Sequence, residues 1–519
     1  MLIFIKHPPS AAENKEYFMA NTFESFKEYL DKINMLQHAS TLFSWDMETL
    51  MPKGGLKLHA KTHTYLAGEA FDMSVSKEMK AYLDEFSIPG ELEKYLSDPK
   101  ELRLWKFSVE KLKKDYDEKA RIPSELFRDF LQEQSESFGA WQEAKQTNNW
   151  QLFAPHLKKM IDFQKTIISY TDPGKDTYDA LLDDYEEGMT SEIYDRLFNE
   201  LKEGLLPLVK EILSKPAPDH AKFDRYFDPY HQEKLQALLL RYIGFDFDKG
   251  AVSKSEHPFT LNFSSTDVRV TNHYYDHEIM NSIYSAIHEG GHAVFEQNVD
   301  PMFDGTPAAS CQNMGIHESQ SRFFENFLGR NKSFWIPIYK DVQATVPALA
   351  DISLDEFIAE ACRVQNSLIR TAADEVTYAF HVILRYEIEK GLFDGSIDVD
   401  DLPRIWNEKM NEYLNITPPT DSEGVLQDMH WSDGSFGYFP SYLLGSIYDG
   451  MYKDAIEADL GPIDDILARG DIRQITKWLN EKIHVYGNTR KPAEVIAAVC
   501  GKEVSAEPLL RYFKEKYLE

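Results

Sequence analysis

The chain is 519 residues long, and its 43% hydrophobic and 27% charged residues are the balance of a globular protein, which excludes a disordered polymer. Its formal net charge of -30 excludes nucleic acid and an anionic membrane surface as main partners. No apolar run reaches the length of a membrane span, and three scattered cysteines give no disulfide framework. Together these features predict a cytoplasmic protein.

The N-terminal residues predict a disordered lead-in over 1–18. The apolar run Met1–Ile5 is too short for a signal-peptide core, and no small-residue cleavage site follows it. Met19 is therefore a candidate for the genuine start. No repeat and no low-complexity linker divides the chain after Met19, so residues 19–519 are predicted to form one large helical body.

Helical periodicity accounts for most of the chain. Apolar residues recur at three- and four-residue spacing from Met19 to the breaker cluster Pro52–Gly55, and Pro123-Ser124-Glu125 marks a second helix start. Further helical stretches are predicted over residues 191–213, 354–390 and 402–414.

Strand patterns are rare, and the clearest one predicts a hairpin. Phe259–Phe263 and Val268–Thr271 alternate apolar and polar residues around the polar turn Ser264–Asp267. The predicted fold class is therefore mostly α, with a small β hairpin close to the functional site.

The segment His288-Glu289-Gly290-Gly291-His292 has the H-E-x-x-H arrangement of zinc peptidases. The apolar residues around it recur at helical spacing, and residues four apart share a helix face, so both histidines can bind one ion. Two ordinary helix-face histidines are the structural alternative. The glycine pair, however, costs a helix about 1–2 kcal/mol relative to alanines. That cost indicates close approach of a substrate or of a second helix.

A catalytic zinc site needs a third protein ligand, and the next predicted helix offers His317 and Glu318. Glu318 follows His292 by 26 residues, which fits a helix, a loop and a returning helix. An i,i+4 ion pair with Arg322 is the structural alternative for Glu318. Glu325, two turns further on, is a candidate to orient a ligand histidine. His317 is the rival ligand, and spacing favours Glu318 over it without excluding it.

Four further motifs flank these residues in the sequence. They are His257-Pro258-Phe259, Asp267-Val268-Arg269-Val270-Thr271, Ile369-Arg370-Thr371-Ala372-Ala373-Asp374 and Gly424-Val425-Leu426-Gln427-Asp428-Met429-His430-Trp431. With His288–His292 and His317–Gln320, they make the chain resemble the carboxypeptidase Taq family of metallocarboxypeptidases, relatives of the gluzincin oligopeptidases. The resemblance extends from about Met19 to Glu519, and no metal or base position departs from the family pattern.

The resemblance carries implications for fold and activity. It implies a saddle-like helical protein with a deep central groove, usually a homodimer. It implies release of single C-terminal residues from peptide substrates, with broad preference and poor release next to proline. The expected metal is zinc, with cobalt as a possible substitute, and the implied ligands are His288, His292 and Glu318. Glu289 is the implied general base.

A carboxypeptidase must recognise a terminal carboxylate, which arginine does best through its two-pronged donor geometry. Arg370 matches the arginine motif of the family and is the first candidate. Arg269, in the predicted hairpin, is the second. An i,i+4 pair with Asp374 is the structural alternative for Arg370, and both roles are compatible if Asp374 fixes the side chain.

The polar and aromatic stretch 427–442 supplies candidates to stabilise the oxyanion formed during hydrolysis. Tyr438 and His430 are the first choices, with Tyr442 behind them, and aromatic packing is the structural alternative. Gln427, at the start of this stretch, is a further substrate-binding candidate. So is His257, because the hairpin that it precedes offers an edge for an extended peptide.

Two other functions remain open from the sequence. One is an endo-acting or dipeptide-releasing oligopeptidase with the same metal site. The other is a non-catalytic helical scaffold that has kept the motif. Retention of two histidines and two glutamates in order argues against the scaffold.

Overall fold

The computed structural model describes residues 22–519, so the predicted lead-in over 1–18 and the candidate start Met19 lie outside the described residues. Within that range the chain is mostly helical with one small sheet, which confirms the predicted fold class. All three cysteines are unpaired. None of the described helices is both long and apolar enough to span a bilayer.

The described residues form two compact units, and the smaller one comprises residues 22–120 and 303–308. Its helices are α1 (Thr22–Thr49), α2 (Leu56–Ser74), α3 (Lys77–Phe86) and α4 (Pro99–Arg121), with 3-10 turns at Lys53–Gly55 and Leu92–Lys94. The apolar stripe predicted for the first helix is the core of this unit. Phe23 and Phe26 are buried there against Phe86 and Trp105. Ser76 caps α3 by accepting a hydrogen bond from the backbone of Met79.

The larger unit comprises residues 121–302 and 309–519. Its first helices are α5 (Ser124–Thr147), α6 (Trp150–Thr171), α7 (Thr177–Tyr185), α8 (Ser191–Leu213) and α9 (Pro229–Ile243). After the sheet come α10 (Ile279–Glu296), α11 (Met314–Arg322), α12 (Lys332–Trp335), α13 (Tyr339–Thr345), α14 (Leu354–Ala361), α15 (Tyr378–Asp394) and α16 (Leu402–Leu414). The last are α17 (His430–Asp433), α18 (Phe439–Leu460), α19 (Ile463–Ala468), α20 (Ile472–Lys482), α21 (Pro492–Cys500) and α22 (Glu507–Tyr517). Shorter segments are 3-10 turns at Pro301–Phe303, Pro347–Leu349, Arg370–Ala372, Val399–Asp401 and His484–Tyr486, and a π-helix at Phe323–Gly329.

The sheet has three strands in the order β1-β3-β2 and contains the predicted hairpin. Strand β2 (Thr260–Ser264) runs antiparallel to β3 (Asp267–Asn272), with an irregular register near the turn. Strand β1 (Gly250–Lys254) pairs in parallel with β3 and was not predicted, because its sequence does not alternate apolar and polar residues. This order leaves β2 as an edge strand of the sheet.

One helical prediction needs correction. Residues 191–213 and 402–414 coincide with α8 and α16, but the stretch 354–390 is broken between α14 and α15. The carboxylate of Asp374 accepts hydrogen bonds from the backbone of Val376 and Thr377 (3.0 Å each) and from the Thr377 hydroxyl (2.7 Å). Asp374 therefore closes a capping turn before α15 and does not continue a helix.

Close packing of α10 explains its glycine pair. A Cβ on Gly291 would lie 2.6 Å from the carbonyl oxygen of Gln320, so the backbones of α10 and α11 are in contact there. A Cβ on Gly290 would lie 2.5 Å from the side chain of Ile243 on α9. The approach of a second helix, one of the two explanations predicted for this pair, is confirmed.

Candidate active site

Three side chains from α10 and α11 converge on one point. His288 and His292 are one turn apart on α10, and their Nε2 atoms lie 3.9 and 3.5 Å from Oε2 of Glu318. One ligand atom from each residue can be chosen so that all three lie within 4.8 Å of one another. Among the described residues this is the one such group of histidines, cysteines and carboxylates. The arrangement can hold a single metal ion.

Charged neighbours orient two of these three residues. The Nδ1–H of His288 donates to Glu325 (2.9 Å), which leaves the Nε2 atom of His288 directed at the convergence point. The Nε–H of Arg322 donates to Oε1 of Glu318 (2.7 Å), so the predicted ion pair exists and leaves Oε2 for the histidines. Glu325 in turn accepts a hydrogen bond from Arg330 (3.2 Å).

The electrostatics of the group favour a bound cation. Burial lowers the pKa of His288, but Glu318 and Glu325 outweigh that effect and raise it to about 9. Burial, together with the neighbouring His317, lowers the pKa of His292 to about 3, so its imidazole is neutral and keeps a lone pair for a ligand bond. Burial opposes ionisation of Glu318, yet Arg322 and both histidines hold its pKa well below the usual range. His292 is therefore neutral and Glu318 ionised, the forms that bind a metal, whereas His288 must give up its Nε2 proton when a metal binds.

His317, the rival ligand, has different contacts. Its ring stacks on the ring of His292 with centroids 4.4 Å apart, and its Nε2–H donates to Glu296 (2.8 Å). Glu296 also accepts from the side-chain amide of Asn262 on β2. His317 therefore supports the ring of His292 and is outside the three-residue group.

Glu289 lies on α10 beneath the edge strand. Its Oε2 accepts a hydrogen bond from the hydroxyl of Thr260 on β2 (2.7 Å). The same hydroxyl contacts the Glu289 carbonyl oxygen (3.0 Å), so strand and helix are held together at this residue. Burial raises the pKa of Glu289 above its ordinary value. A side chain held in this way can accept a proton from water near the convergence point.

Arg370 is buried in an ion-pair cluster that the sequence did not predict. Its Nε and Nη2 donate to Oδ1 of Asp428 (3.1 and 2.9 Å), and its Nη1 donates to the hydroxyl of Tyr378 (2.9 Å). Arg385, fully buried, donates to the other oxygen of Asp428 (2.8 and 2.5 Å). The predicted pair with Asp374 is therefore wrong, because Asp374 instead accepts hydrogen bonds from the backbone before α15.

The other three substrate-binding candidates differ in their surroundings. Arg269 is paired with Asp267 through two hydrogen bonds of 2.9 and 2.8 Å. Gln427 accepts from the backbone N–H of Arg370 (2.9 Å) and donates to two backbone carbonyls, so it holds the main chain at Arg370. His257 is exposed before β2.

The aromatic candidates pack against one another before and within α18. The ring of His430 stacks with that of Tyr438 at 5.6 Å, and its Nε2 lies 3.4 Å from the hydroxyl of Tyr442. Burial lowers the pKa of His430 to about 4 and raises that of Tyr438 to about 12. At neutral pH the imidazole is therefore uncharged and the Tyr438 phenol keeps its proton. The charge of Glu318 also raises the pKa of Tyr438, and that of Arg370 lowers it.

Glu389 holds the segment between these aromatic residues and was missed by sequence reasoning. Its carboxylate accepts hydrogen bonds from the indole of Trp431 (2.8 Å), the backbone of Gly437 (2.9 Å) and the hydroxyl of Tyr178 (2.9 Å). Nothing in its position within α15 indicates those partners, which lie 42 to 211 residues away. The position of Asp428 in a family motif was a weak indication that it matters, but its two arginine partners were not predicted.

Glu389 gives a prediction for the pH dependence of stability. Burial raises its pKa from 4.5 to about 7, although its hydrogen-bond donors and Arg385 oppose the change. The folded state therefore binds this proton more tightly than the unfolded state. The resulting stabilisation is complete below the unfolded pKa and is lost as the pH rises through the folded pKa. Glu389→Gln cannot titrate, so the free energy of unfolding should fall less than in the wild type between about pH 5 and 8. Urea unfolding at both pH values measures this, and equal losses would contradict it.

Comparison with known proteins identifies the family. A sequence model of the carboxypeptidase Taq (M32) metallopeptidase family matches residues 25–517. The chain belongs to this family. The M32 carboxypeptidase fold and activity inferred from the six motifs are thereby confirmed: the protein is a metallocarboxypeptidase and a peptide hydrolase.

Individual relatives agree with this assignment. Carboxypeptidase 1 of Bacillus subtilis (strain 168) is 40% identical over 96% of this chain and 98% of its own length. Thermostable carboxypeptidase 1 of Thermus thermophilus is 33% identical over 95% and 98%. The solved M32 carboxypeptidase of Deinococcus radiodurans R1 superposes with a TM-score of 0.91 at 31% identity, covering 96% of this chain and 98% of that one.

Proposed function

We propose that this M32 enzyme is a zinc-dependent carboxypeptidase that releases single residues from peptide C-termini. The observation that carries the proposal is the convergence of His288, His292 and Glu318 within 4.8 Å. Two imidazoles and one carboxylate are the donor set of catalytic zinc sites, which keep a further position open for water or substrate. The residues present therefore fit the metal that the family implies.

Metal removal tests this proposal. The enzyme is dialysed against a chelator, its residual metal content is measured, and zinc or cobalt is added back in equimolar amounts. We expect hydrolysis to fall with metal content and to return with one equivalent of zinc, with cobalt also supporting it. Full hydrolysis by metal-free protein would overturn the proposal.

The chain supplies the acid–base chemistry of the reaction. Zinc, when bound, polarises the scissile carbonyl and lowers the pKa of a water molecule. Glu289 accepts the proton of the attacking water and later delivers it to the leaving amine. Thr260 keeps the carboxylate of Glu289 in place through the 2.7 Å hydrogen bond to its Oε2.

Tyr438 is the favoured donor to the developing oxyanion, with His430 as the second choice. A raised pKa keeps the phenol of Tyr438 protonated over the working pH range, so it can donate a hydrogen bond. His430 stacks on that phenol, and Glu389 fixes the backbone of the preceding Gly437 (2.9 Å). The donor is thus supported on both sides before substrate arrives.

Arg370 is the proposed partner of the terminal carboxylate. Arg370 and Arg385 share the single carboxylate of Asp428, which leaves one positive charge in excess within a buried cluster. A substrate carboxylate can balance that charge. Gln427 then acts through Arg370, whose backbone it holds. Arg269 is the second candidate, although Asp267 already balances its charge.

Arg370→Ala should change the preference for free acids. The substitution leaves Asp428 paired with Arg385, so the cluster keeps an ion pair. Loss of one partner from a desolvated charge pair costs about 2–5 kcal/mol, so kcat/KM should fall strongly for a free-acid peptide. It should fall much less for the C-terminal amide of the same peptide. Measuring both substrates with both enzymes gives a double-mutant cycle for the pair.

Arg269→Ala is the matched variant for this experiment. If the ratio of acid to amide hydrolysis is unchanged in Arg370→Ala but shrinks in Arg269→Ala, the carboxylate is bound by Arg269 instead. Metal content is measured for both variants, so that loss of zinc is not mistaken for loss of substrate binding.

Four further properties are proposed, of which the residue preference and the homodimer come from the family resemblance and the other two from the sequence itself. They are broad residue preference with poor release next to proline, binding of an extended peptide along β2 near His257, a homodimeric state, and a cytoplasmic location. The edge position of β2 supports the peptide proposal, and three unpaired cysteines support a reducing compartment. Sedimentation analysis of the purified enzyme tests the dimer.

A further inference from the structure

Glu186 is a buried carboxyl group for which catalysis has no obvious use. It follows the last residue of α7 and is 0% exposed. Apart from burial, the groups that act on its pKa are the backbone of Gly315 and Ile316 and the hydroxyl of Tyr448, and none of them is a cation. Its two oxygens accept hydrogen bonds from a helix N-terminus and from a tyrosine. Burying a carboxyl group without a neighbouring cation costs folding free energy, which indicates that Glu186 has a specific role at this position.

The helix N-terminus is that of α11, which carries Glu318. The residue at its N-cap, Asn313, makes no capping bond with its own side chain. Its Oδ1 instead accepts from the backbone N–H of Glu187 (3.0 Å). Glu186 Oε2 accepts from the backbone N–H of Gly315 (2.8 Å), in the first turn of the helix. The turn after α7 therefore caps α11 from a distant part of the chain.

Gly315 makes room for this cap. A Cβ at this position would lie 2.9 Å from Oε1 of Glu186 and 3.0 Å from a methyl carbon of Leu444. A larger residue would therefore force the carboxyl group, the side chain of Leu444 or both to shift. The glycine and the acid thus form a matched pair, three residues before Glu318.

The second oxygen of Glu186 connects the cap to α18. The hydroxyl of Tyr448 donates to its Oε1 (3.0 Å). One turn earlier on α18, a Cβ on Gly445 would lie 3.0 Å from the backbone carbon of Glu318, so this helix packs directly on the ligand residue. The same helix begins next to Tyr438 and contains Tyr442.

We propose that Glu186 is a positioning residue that fixes Glu318 relative to α10 and α18 and so sets the affinity of the metal site. This inference rests on the proposed role of Glu318 as a metal ligand. It assigns Glu186 no contact with metal or substrate. Removing a residue that orients a metal ligand without contacting the metal typically lowers the affinity for the metal about 10- to 100-fold.

Gly315→Ala gives the sharpest test because it leaves Glu186 in the chain. Alanine favours a helix by about 1 kcal/mol over glycine, so α11 itself is not weakened. We expect the affinity of the variant for Co²⁺, measured by competition with a chelator, to fall about 10-fold or more. Gly139→Ala, in α5 with no atom within 4 Å of the added Cβ, is the matched control and should bind Co²⁺ as the wild type does.

Two substitutions of Glu186 complete the test. Burial raises the pKa of Glu186 to about 8, so the neutral amide of Glu186→Gln resembles the protonated acid at pH 7. The amide oxygen can still accept from the backbone of Gly315, and the amide NH₂ can donate to the oxygen of Tyr448, which reverses the direction of that hydrogen bond. We expect Glu186→Gln to keep the affinity for Co²⁺, and Glu186→Ala to lose about as much as Gly315→Ala. If Glu186→Ala does not fold, Gly315→Ala decides.

Glu318→Ala separates failure of this inference from failure of the proposed function. If Glu318→Ala binds Co²⁺ as tightly as the wild type, the proposed ligand is wrong. If Glu318→Ala loses the metal while Gly315→Ala keeps the wild-type affinity, Glu186 has no positioning role. A lower melting temperature of Gly315→Ala without a change in affinity would likewise overturn the inference, because it would show a purely structural role.

Discussion

Glu289→Gln is expected to lower kcat by about 10²–10⁴-fold, the usual cost of losing a general base, while leaving the metal bound. The amide of glutamine cannot accept a proton from water. Its carbonyl oxygen can still accept the hydrogen bond that Thr260 donates to Glu289 (2.7 Å), so the side chain should keep its place between α10 and β2. Assays of peptide hydrolysis measure kcat, and the zinc content of the same sample shows whether the metal is still bound.

Glu296→Gln is the matched control for that variant. Glu296 is a buried carboxylate on the same helix, two turns further on, and is also tied to β2, through Asn262. The Glu296→Gln substitution also replaces a carboxylate by an amide, but it leaves the proposed base Glu289 unchanged, so most of the turnover should remain. If Glu289→Gln, with full zinc occupancy, turned over as fast as Glu296→Gln, Glu289 would not be the base.

The second large effect concerns the third ligand. Glu318→Ala should release the metal. Its loss of metal affinity should exceed the roughly 10- to 100-fold loss that is typical when a residue orienting a ligand is removed. His317→Ala should keep it, because His317 contacts Glu296 and the ring of His292 and lies outside the convergent group. Metal content of the two purified proteins after gel filtration distinguishes them.

Folding must be checked in the same experiment. Glu318→Ala leaves the buried guanidinium of Arg322 without its carboxylate, which costs stability. Glu318→Gln keeps an acceptor for Arg322 and serves as the better-folded variant. Retention of metal by both Glu318 variants and its loss from His317→Ala would reverse the ligand assignment.

Local sequence patterns were sufficient for several helices and for the first two ligands. Helical spacing predicted the approximate ranges of α8 and α16, and the four-residue spacing of His288 and His292 placed both on one face of α10. These features depend on neighbours within one or two turns. Strand β1 was not predicted because its residues have no alternating pattern. Backbone pairing with β3, which the sequence does not show, stabilises it.

Long-range polar contacts were beyond the sequence. The nearest acid to Arg370 in a helical reading is Asp374, yet the actual partner is Asp428, 58 residues away. Asp374 instead binds backbone N–H groups, a use of a short acidic side chain that competes with ion pairing. Similarly, Glu186 and Glu389 each join segments that are more than 100 residues apart, and only tertiary packing decides which donors meet them.

The most direct test of the central claim is digestion of one peptide in two forms, free acid and C-terminal amide, each with and without chelator. Mass spectrometry follows the products over time. The account predicts a ladder in which the free acid loses one residue at a time, little cleavage of the amide, and no products of either form once the metal is removed. Internal fragments or dipeptides released from both forms, or a ladder that persists in metal-free protein, would contradict it.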